Sequence, residues 1–202
     1  MRASMFVSCA MAVISTVAVG LGRAAPAQQP WGIAQLMAEL ARVRSASGQF
    51  TERKTMRMLT EPLILSGRLA YIAPSHIEKI TVSPMPQKLA MDGDQVTIVS
   101  GPNNETHTFS LAQYAQIGGL VEGIRATLAG DLRTLDRFYT LQLSGTPTAW
   151  DLRLVPRDAD LTRFVKWMEF RGSGDRIQTI STEDSDGDRS DMTIAEDRRD
   201  VR

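Results

Sequence analysis

The sequence has little of the chemistry on which most enzymes and metalloproteins depend. Among its 202 residues are one cysteine, Cys9, and two histidines, His76 and His107. The two histidines lack metal-ligand spacing, and a single cysteine forms no intrachain disulfide. The sequence contains no glycine-rich phosphate loop, no H-E-x-x-H motif and no G-x-S-x-G motif. We therefore expect a protein that is not an enzyme, with no catalytic residue, no metal site and no cofactor.

The sequence also lacks an excess of positive or negative charge. Lysine and arginine total 23 residues, aspartate and glutamate also total 23, and the formal net charge at pH 7 is +0. A protein that binds nucleic acid usually carries a basic excess or a basic patch. We therefore expect no nucleic-acid partner, and a chain of this length is sufficient for one domain with its own core.

The longest uncharged apolar run lies at the N-terminus and is typical of an export signal. Arg2 precedes an apolar run over residues 6–21, and residues 25–27 (A-P-A) fit a small-x-small cleavage site. The run is shorter than the ~20 residues that a membrane span prefers, and Cys9 lies too early in it for a lipoprotein signal. We predict that residues 1–27 are a signal peptide, removed on export to the periplasm.

The next part of the chain predicts one helix followed by three strands. Residues 31–44 carry apolar side chains at i, i+3, i+4 and i+7, which predicts an amphipathic helix that ends before Gly48. Residues 48–82 predict three antiparallel strands with turns at 60–62 and 73–75. The middle strand has an apolar face that we interpret as the floor of a cavity. This face carries Leu63, Leu65, Leu69 and Tyr71.

A second helix is predicted in the middle of the remaining strands. Residues 111–130 have helical spacing of apolar side chains, and we place the helix from about Gly119 to Leu128. Gly118, Gly119 and Gly123 each weaken a helix by up to about 1 kcal/mol relative to alanine where they lie inside it. Such a helix, with glycines at its start, is expected to act as a movable flap.

Short strands with hairpin turns every 8–12 residues or so favour a barrel or a strongly curved antiparallel sheet. We count roughly ten or eleven strands, so the fold class is mainly β with helices. Residues 28–196 form the predicted domain, and residues 197–202 form a charged tail that we expect to fray.

The first strand mixes charged and apolar residues on one face. Phe50, Glu52, Lys54 and Met56 alternate along it. Two interpretations remain open at this point. The charged side chains either meet a polar head group at the mouth of a cavity, or they protect an edge strand from pairing with other chains. The pair Glu78-Lys79 on the third strand raises the same question.

The order of several short motifs resembles a known family. The motifs are GQFTERK, SGRLAYIAP, DGDQVTIV, WDLRLVPRD, FVKWMEF and DGDRSDMTI. Together they are similar to the periplasmic outer-membrane lipoprotein carrier (LolA) family, and in particular to a LolA-related branch, over about residues 31–196. The resemblance implies an unclosed antiparallel β-barrel of about eleven strands, with the N-terminal and inserted helices forming a lid over an apolar cavity that holds acyl chains.

The resemblance also implies which residues face the cargo. The predicted cavity residues come from the early strands and from the inserted helix. They are Phe50, Met56, Leu63, Leu65, Leu69, Tyr71 and Ile77 on the strands, and Leu120, Val121, Ile124 and Leu128 on the helix. Lys54 and Lys79 are the predicted head-group contacts.

Three departures from the family pattern bear on the cargo. Ala73 occupies the position where the lipoprotein carriers place a lid-latching arginine, and Lys79 occupies the position of an aromatic residue. The C-terminal extension of those carriers has no counterpart after the last strand. We therefore expect the fold to carry over more fully than the identity of the cargo.

The predicted function is that of a periplasmic carrier. It would bind the acyl chains of a lipoprotein or another amphiphile and shuttle this cargo from the inner to the outer membrane. The expected partners are an inner-membrane exporter and an outer-membrane acceptor, and the carrier is expected to be a monomer. The alternative is a periplasmic adaptor that docks on an inner-membrane lipid or glycolipid export complex and carries nothing.

Overall fold

A computed structural model describes residues 31–202; the predicted signal peptide at residues 1–27 lies outside this range. The described chain forms one antiparallel sheet of eleven strands, in the order β6-β5-β4-β3-β2-β1-β11-β10-β9-β8-β7. The strands are β1 (Val43–Thr55), β2 (Leu63–Ile72), β3 (His76–Ser83), β4 (Gln87–Asp92), β5 (Gln95–Ser100), β6 (Glu105–Ser110), β7 (Tyr139–Thr146), β8 (Ala149–Pro156), β9 (Trp167–Ser173), β10 (Arg176–Glu183) and β11 (Arg189–Val201).

The sheet is curved but not closed, because β6 and β7 lie at its two ends and do not pair within the described part of the chain. This confirms the predicted unclosed antiparallel architecture. The helices are α1 (Ile33–Leu40), α2 (Ala115–Ala129), α3 (Leu132–Phe138) and α4 (Ala159–Thr162), and a 3₁₀-helix (Leu111–Gln113) precedes α2. None of the helices in residues 31–202 has the length and apolar character needed to span a bilayer.

Two groups of buried side chains divide the interior. The larger group lies between α1, α2, α3 and strands β7 to β9, and it includes Leu36, Leu135, Tyr139 and Phe170. The smaller group lies on strands β1 to β5 and includes Tyr71. Ile124 of α2 packs against both groups. The inserted helix therefore connects the two halves of the sheet.

The first helix is shorter than the sequence predicts. It ends at Leu40, and β1 begins at Val43 instead of near Gly48. The backbone explains this difference, since the amide of Ala73 donates to the Arg44 carbonyl at 2.8 Å and draws the segment into the sheet. Gly48 does not end the helix. It lies within β1, where a Cβ would come 2.4 Å from the carbonyl oxygen of Ala195.

The region after the inserted helix also differs from the prediction. The sequence predicts a single inserted helix, but Leu132–Phe138 forms another helix, α3, and β7 begins at Tyr139. Asp131 caps this helix, because its carboxylate accepts the backbone N–H of Thr134 at 3.1 Å. The capping aspartate is the local signal that identifies the helix in the sequence.

The predicted frayed tail is wrong. Residues 197–201 belong to β11, which pairs with β1 as far as Val201 opposite Val43. The backbone N–H of Arg202 donates to the Arg42 carbonyl at 3.0 Å. A register shift leaves Asp197 unpaired, but the residues on either side of it pair with β1, so a charged sequence did not prevent strand formation.

Two of the three glycines of α2 lie at sites of close packing. All three lie inside the continuous helix, where Gly119 and Gly123 provide close contact with the larger core group. A Cβ on Gly123 would come 2.3 Å from Cε of Met168 and 2.8 Å from the hydroxyl oxygen of Tyr139. That hydroxyl donates to the Gly119 carbonyl at 2.7 Å. Gly119 and Gly123 therefore allow close packing of α2 against neighbouring side chains, whereas a Cβ on Gly118 would meet nothing closer than 3.5 Å.

Two alanine substitutions in α2 distinguish a packing role from a flexible one. Gly123→Ala should lower the free energy of unfolding, because overpacking costs about 1–3 kcal/mol and exceeds the gain in helix propensity of at most about 1 kcal/mol. Gly118→Ala is the matched control. Its Cβ would meet nothing closer than 3.5 Å, so its stability should equal or exceed that of the wild type. Urea unfolding measures both, and equal stabilities for the two variants would contradict the packing role.

Candidate functional site

A cavity of about 610 Å³ lies between the inner face of the sheet and α2. Its walls are mainly aliphatic, with polar groups at two places. The aliphatic and aromatic lining residues include Leu40, Val43, Leu69, Tyr71, Ile77, Leu89, Met91, Leu120, Val121, Ile124, Leu128, Phe164, Val165, Ile177, Ile180, Met192 and Ile194. Ligand pockets usually measure about 300–1,000 Å³, so the space is of ordinary size for a small amphiphile.

Most of the side chains that the sequence assigns to a cavity lie on this wall. They come from both the strands and the helix. They are Leu69, Tyr71, Ile77, Leu120, Val121, Ile124 and Leu128, together with Lys54 and Lys79. Strand register explains the arrangement, since Leu69 pairs with Gly48 and Tyr71 with Ala46, so that these side chains share one face.

Four other predicted residues do not line the cavity in the structure. Phe50 is 2% exposed and lies beneath Lys79, whose Nζ is 4.9 Å from the centre of the Phe50 ring. Leu63 and Leu65 pair with the wall residues Lys54 and Glu52, but their own side chains are not part of the wall. Met56 follows the end of β1 at Thr55. Alternation predicts which side chains share one face of a strand, but it does not show which of them contact the cavity.

Several wall residues were not predicted. They lie on β4, β10 and β11. They are Leu89, Met91, Ile177, Ile180, Met192 and Ile194. The short apolar alternation of Met192 and Ile194 in β11 is the available sequence signal. Its importance depends on the pairing of β11 with β1, which brings the last strand beside the first.

A group of charged residues forms one end of the cavity wall. Glu52 is 4% exposed, and its Oε1 accepts a hydrogen bond from the Ser190 hydroxyl at 2.6 Å. Its Oε2 accepts a hydrogen bond from Lys79. Lys54 Nζ lies 3.6 Å from Oε1. We call these four residues the Glu52 cluster.

The Glu52 carboxylate is ionised despite its burial. Desolvation disfavours the charged form, but hydrogen bonds from Lys79 and Ser190 and the positive charges of Lys79 and Lys54 outweigh it. The pKa of Glu52 therefore lies below its ordinary value. A buried carboxylate of this kind depends on Lys79, because removing the cation that donates to it would leave an uncompensated charge.

The edge-strand interpretation of these charges is wrong. β1 lies in the centre of the sheet and pairs with both β2 and β11. Glu52 and Lys54 instead point inward. Glu78 and Lys79 are separated by the alternation of β3, so that Lys79 faces the cavity whereas Glu78 pairs with Lys88 at 2.7 Å on the outer face.

The second polar part of the wall is at the other end. Arg199 is only 9% exposed, and its Nη1 lies 3.0 Å from Oε2 of Glu196. The other oxygen of Glu196, Oε1, forms an ion pair with Nη1 of Arg176 at 2.9 Å. Asp175 lies 3.4 Å from Nε of Arg199. Both acids therefore have cationic partners at this end.

The fold and the site together define a carrier-like binding protein, in which an open sheet and a helical lid surround an apolar cavity. A family model for outer membrane lipoprotein carrier proteins that are LolA-like matches residues 24–201. The chain belongs to this LolA-like family, which confirms the resemblance found in its motifs. Proteins of the family are periplasmic binding and carrier proteins and not enzymes.

Solved structures with a similar chain path include a LolA superfamily protein from Nitrosomonas europaea. It has 12% sequence identity and a TM-score of 0.45, and the match covers 83% of this chain and 93% of that one. An outer membrane lipoprotein-sorting protein domain from Vibrio parahaemolyticus has 8% identity and a TM-score of 0.45, covering 83% and 92%. The MucA/MucB complex of Pseudomonas aeruginosa has 12% sequence identity and a TM-score of 0.43, and the match covers 80% of this chain and 55% of that one. No curated protein sequence matches the chain significantly.

The lowered pKa of Glu52 predicts an acid-dependent contribution to stability. Because the folded-state pKa is lower than the ordinary value of 4.5, the contribution is complete above that pH and is lost as the pH falls through the folded-state pKa. Glu52→Gln should be less stable than the wild type at pH 7, and the difference should narrow as the pH falls towards 3.

Urea unfolding at several pH values measures this difference. Some acid dependence should remain in the variant, since the pKa values of Asp131 and Asp191 are also lowered. Wild-type and variant stabilities that run parallel from pH 7 to pH 3 would contradict the assigned ionisation of Glu52.

Proposed function

We propose that the protein is a periplasmic carrier that binds the acyl chains of a lipoprotein or another amphiphile and shuttles this cargo from the inner to the outer membrane. The observation that supports the proposal is the cavity of about 610 Å³ with aliphatic walls on both the sheet and α2. The expected donor and acceptor are an inner-membrane exporter and an outer-membrane protein.

The walls can supply useful affinity for an acyl chain. Burying one methylene group is worth about 0.8 kcal/mol, so two buried methylenes correspond to roughly a tenfold change in affinity. Ile77, Met91 and Val121 provide such apolar surface from β3, β4 and α2. Methionine adapts to irregular ligands because its side chain is unbranched and flexible.

Cargo entry and release require the cavity to open on one side of α2. The side that faces β7 and β9 is fixed by the close packing of Gly123 and by the Tyr139 hydrogen bond. On the other side, the half-buried Val121 and Leu128 face the smaller core group without hydrogen bonds. We infer that the lid separates from the sheet on the β2–β4 side.

An adaptor that carries nothing remains the competing function. Such a protein needs no void, and its barrel interior would be filled by side chains as in other well-packed cores. The size of the cavity favours the carrier. An empty protein that takes up no lipid would favour the adaptor.

Co-purified lipid is the direct test of carriage. The full chain is produced with its own N-terminal segment, exported, purified without detergent and examined by native mass spectrometry. We expect a mass increment that corresponds to an acylated molecule. Protein without any increment, combined with no uptake of a fluorescent fatty acid, would contradict the proposal.

A cavity-filling substitution tests where the lipid binds. Ala46→Phe places a ring inside the cavity, because Ala46 is part of the wall. We expect fluorescent fatty acid binding to weaken roughly tenfold, since two or so methylene contacts are lost. Ala195→Phe is the matched control on the exposed outer face of β11, and it should bind like the wild type. Equal binding by both variants would place the lipid elsewhere.

A further inference from the structure

The two lysines of the Glu52 cluster come from strands that are not neighbours. Lys54 is on β1 and Lys79 is on β3, with β2 between them. Gly67 of β2 lies between their strands, where a Cβ would clash with the Ile80 carbonyl oxygen at 1.9 Å and come 2.9 Å from Cε1 of Phe50. Phe50 then supports the Lys79 ammonium group from below by a cation–π contact.

This end of the cavity has more hydrogen-bond donors than acceptors. Both oxygens of Glu52 are already used, one by Ser190 and the other by Lys79. Within residues 31–202, Lys79 donates to Glu52 alone, and Lys54 contributes an ion pair at 3.6 Å without a hydrogen bond. Each ammonium group has three N–H donors, so most of these donors are available to a ligand in the cavity.

Neighbouring acids do not remove this excess. Glu183 and Asp184 also contact the cavity. Glu183 forms an ion pair with Lys166 at 3.1 Å, outside the cluster. One oxygen of Asp184 accepts the backbone N–H groups of Asp186 and Asp188, both at 2.9 Å. These carboxylates therefore have partners other than Lys54 and Lys79.

The two polar ends of the cavity differ in how accessible they are. At one end, the Lys54 side chain is 39% exposed. At the other end, the Arg199 side chain is 9% exposed and is enclosed by Glu196 and Asp175. A charged ligand group keeps more of its hydration at the Lys54 end, so that end suits the head group and the aliphatic interior suits the chain.

We propose that Lys54 and Lys79 bind the anionic head group of the cargo, a carboxylate or a phosphate, while its acyl chain extends over Leu69 towards Tyr71 and α2. This inference rests on the proposed carrier function and narrows the cargo to anionic amphiphiles. Ammonium groups bind carboxylate and phosphate oxygens through charge-assisted hydrogen bonds, which are about twice as strong as neutral ones. Glu52 positions both ammonium groups and does not itself contact the ligand.

The test compares ligands that share one acyl chain and differ in the head group. Oleic acid, oleoyl lysophosphatidic acid and uncharged oleyl alcohol each displace a fluorescent fatty alcohol from the full chain at pH 8, below the concentrations at which micelles form. We expect at least one of the two anions to bind roughly five- to tenfold more tightly than the alcohol. The tighter of the two identifies the head group as a carboxylate or a phosphate.

Lys54→Met is the informative variant, because Glu52 keeps Lys79 and Ser190 as partners and the cluster stays satisfied. It should lose most of the preference for the anion while binding the alcohol as the wild type does. Lys88→Met is the matched control, since Lys88 pairs with Glu78 on the outer face. It should retain the full preference.

The outcomes separate this inference from the proposed function. If the acid, the phosphate and the alcohol bind equally well to the wild type, or if Lys54→Met keeps the anion preference, the head-group site is wrong and the carrier function stands. If none of the three ligands binds, the carrier function itself is wrong. Loss of alcohol binding in Lys54→Met would show a general disturbance of the cavity and would overturn the assignment to Lys54.

Discussion

The arrangement of this protein depends on the pairing of one central strand with two neighbours. β1 is 13 residues long and is hydrogen-bonded to β2 on one side and β11 on the other. Because side chains alternate along a strand, this double pairing fixes which residues enter the interior. It places Gly48, Phe50, Glu52 and Lys54 on the inner face. A slip of one residue would exchange this set for Gln49, Thr51 and Arg53 and would remove the cavity floor.

The same constraint explains why a carboxylate is buried in an aliphatic wall. Burying Glu52 without partners would cost several kcal/mol, so the sheet supplies them from three strands. Lys54 comes from β1, Lys79 reaches from β3, and Ser190 comes from β11. The charged group therefore exists only when β1 pairs correctly on both sides. Its burial favours the observed register over alternatives that leave Glu52 unpaired.

Local sequence patterns predicted the fold class well and the extent of the site less well. Alternation in β2 predicted the apolar face that carries Leu69 and Tyr71, and helical spacing in α2 predicted the apolar face that carries Ile124, because both patterns are set by neighbours within one element. The role of Met192 depends on contact between the last strand and the first, which no local pattern contains. Edge and central strands likewise cannot be told apart from the charges on β1 alone, and the position of Lys54 became clear only from the sheet order.

The glycines of α2 show how one residue type supports opposite mechanisms. Glycine weakens an isolated helix, which suggests a flexible flap, but it also permits close approach of a neighbouring side chain. In this protein the second effect prevails, because Tyr139 and Met168 occupy the space that a Cβ on Gly123 would need. The lid is thus attached to the β7–β9 half through backbone contact and faces the β2–β4 half through aliphatic side chains. Under the proposed carrier function, this asymmetry would let the cavity open without unfolding the larger core group, with the apolar face of α2 turned towards the acyl chain.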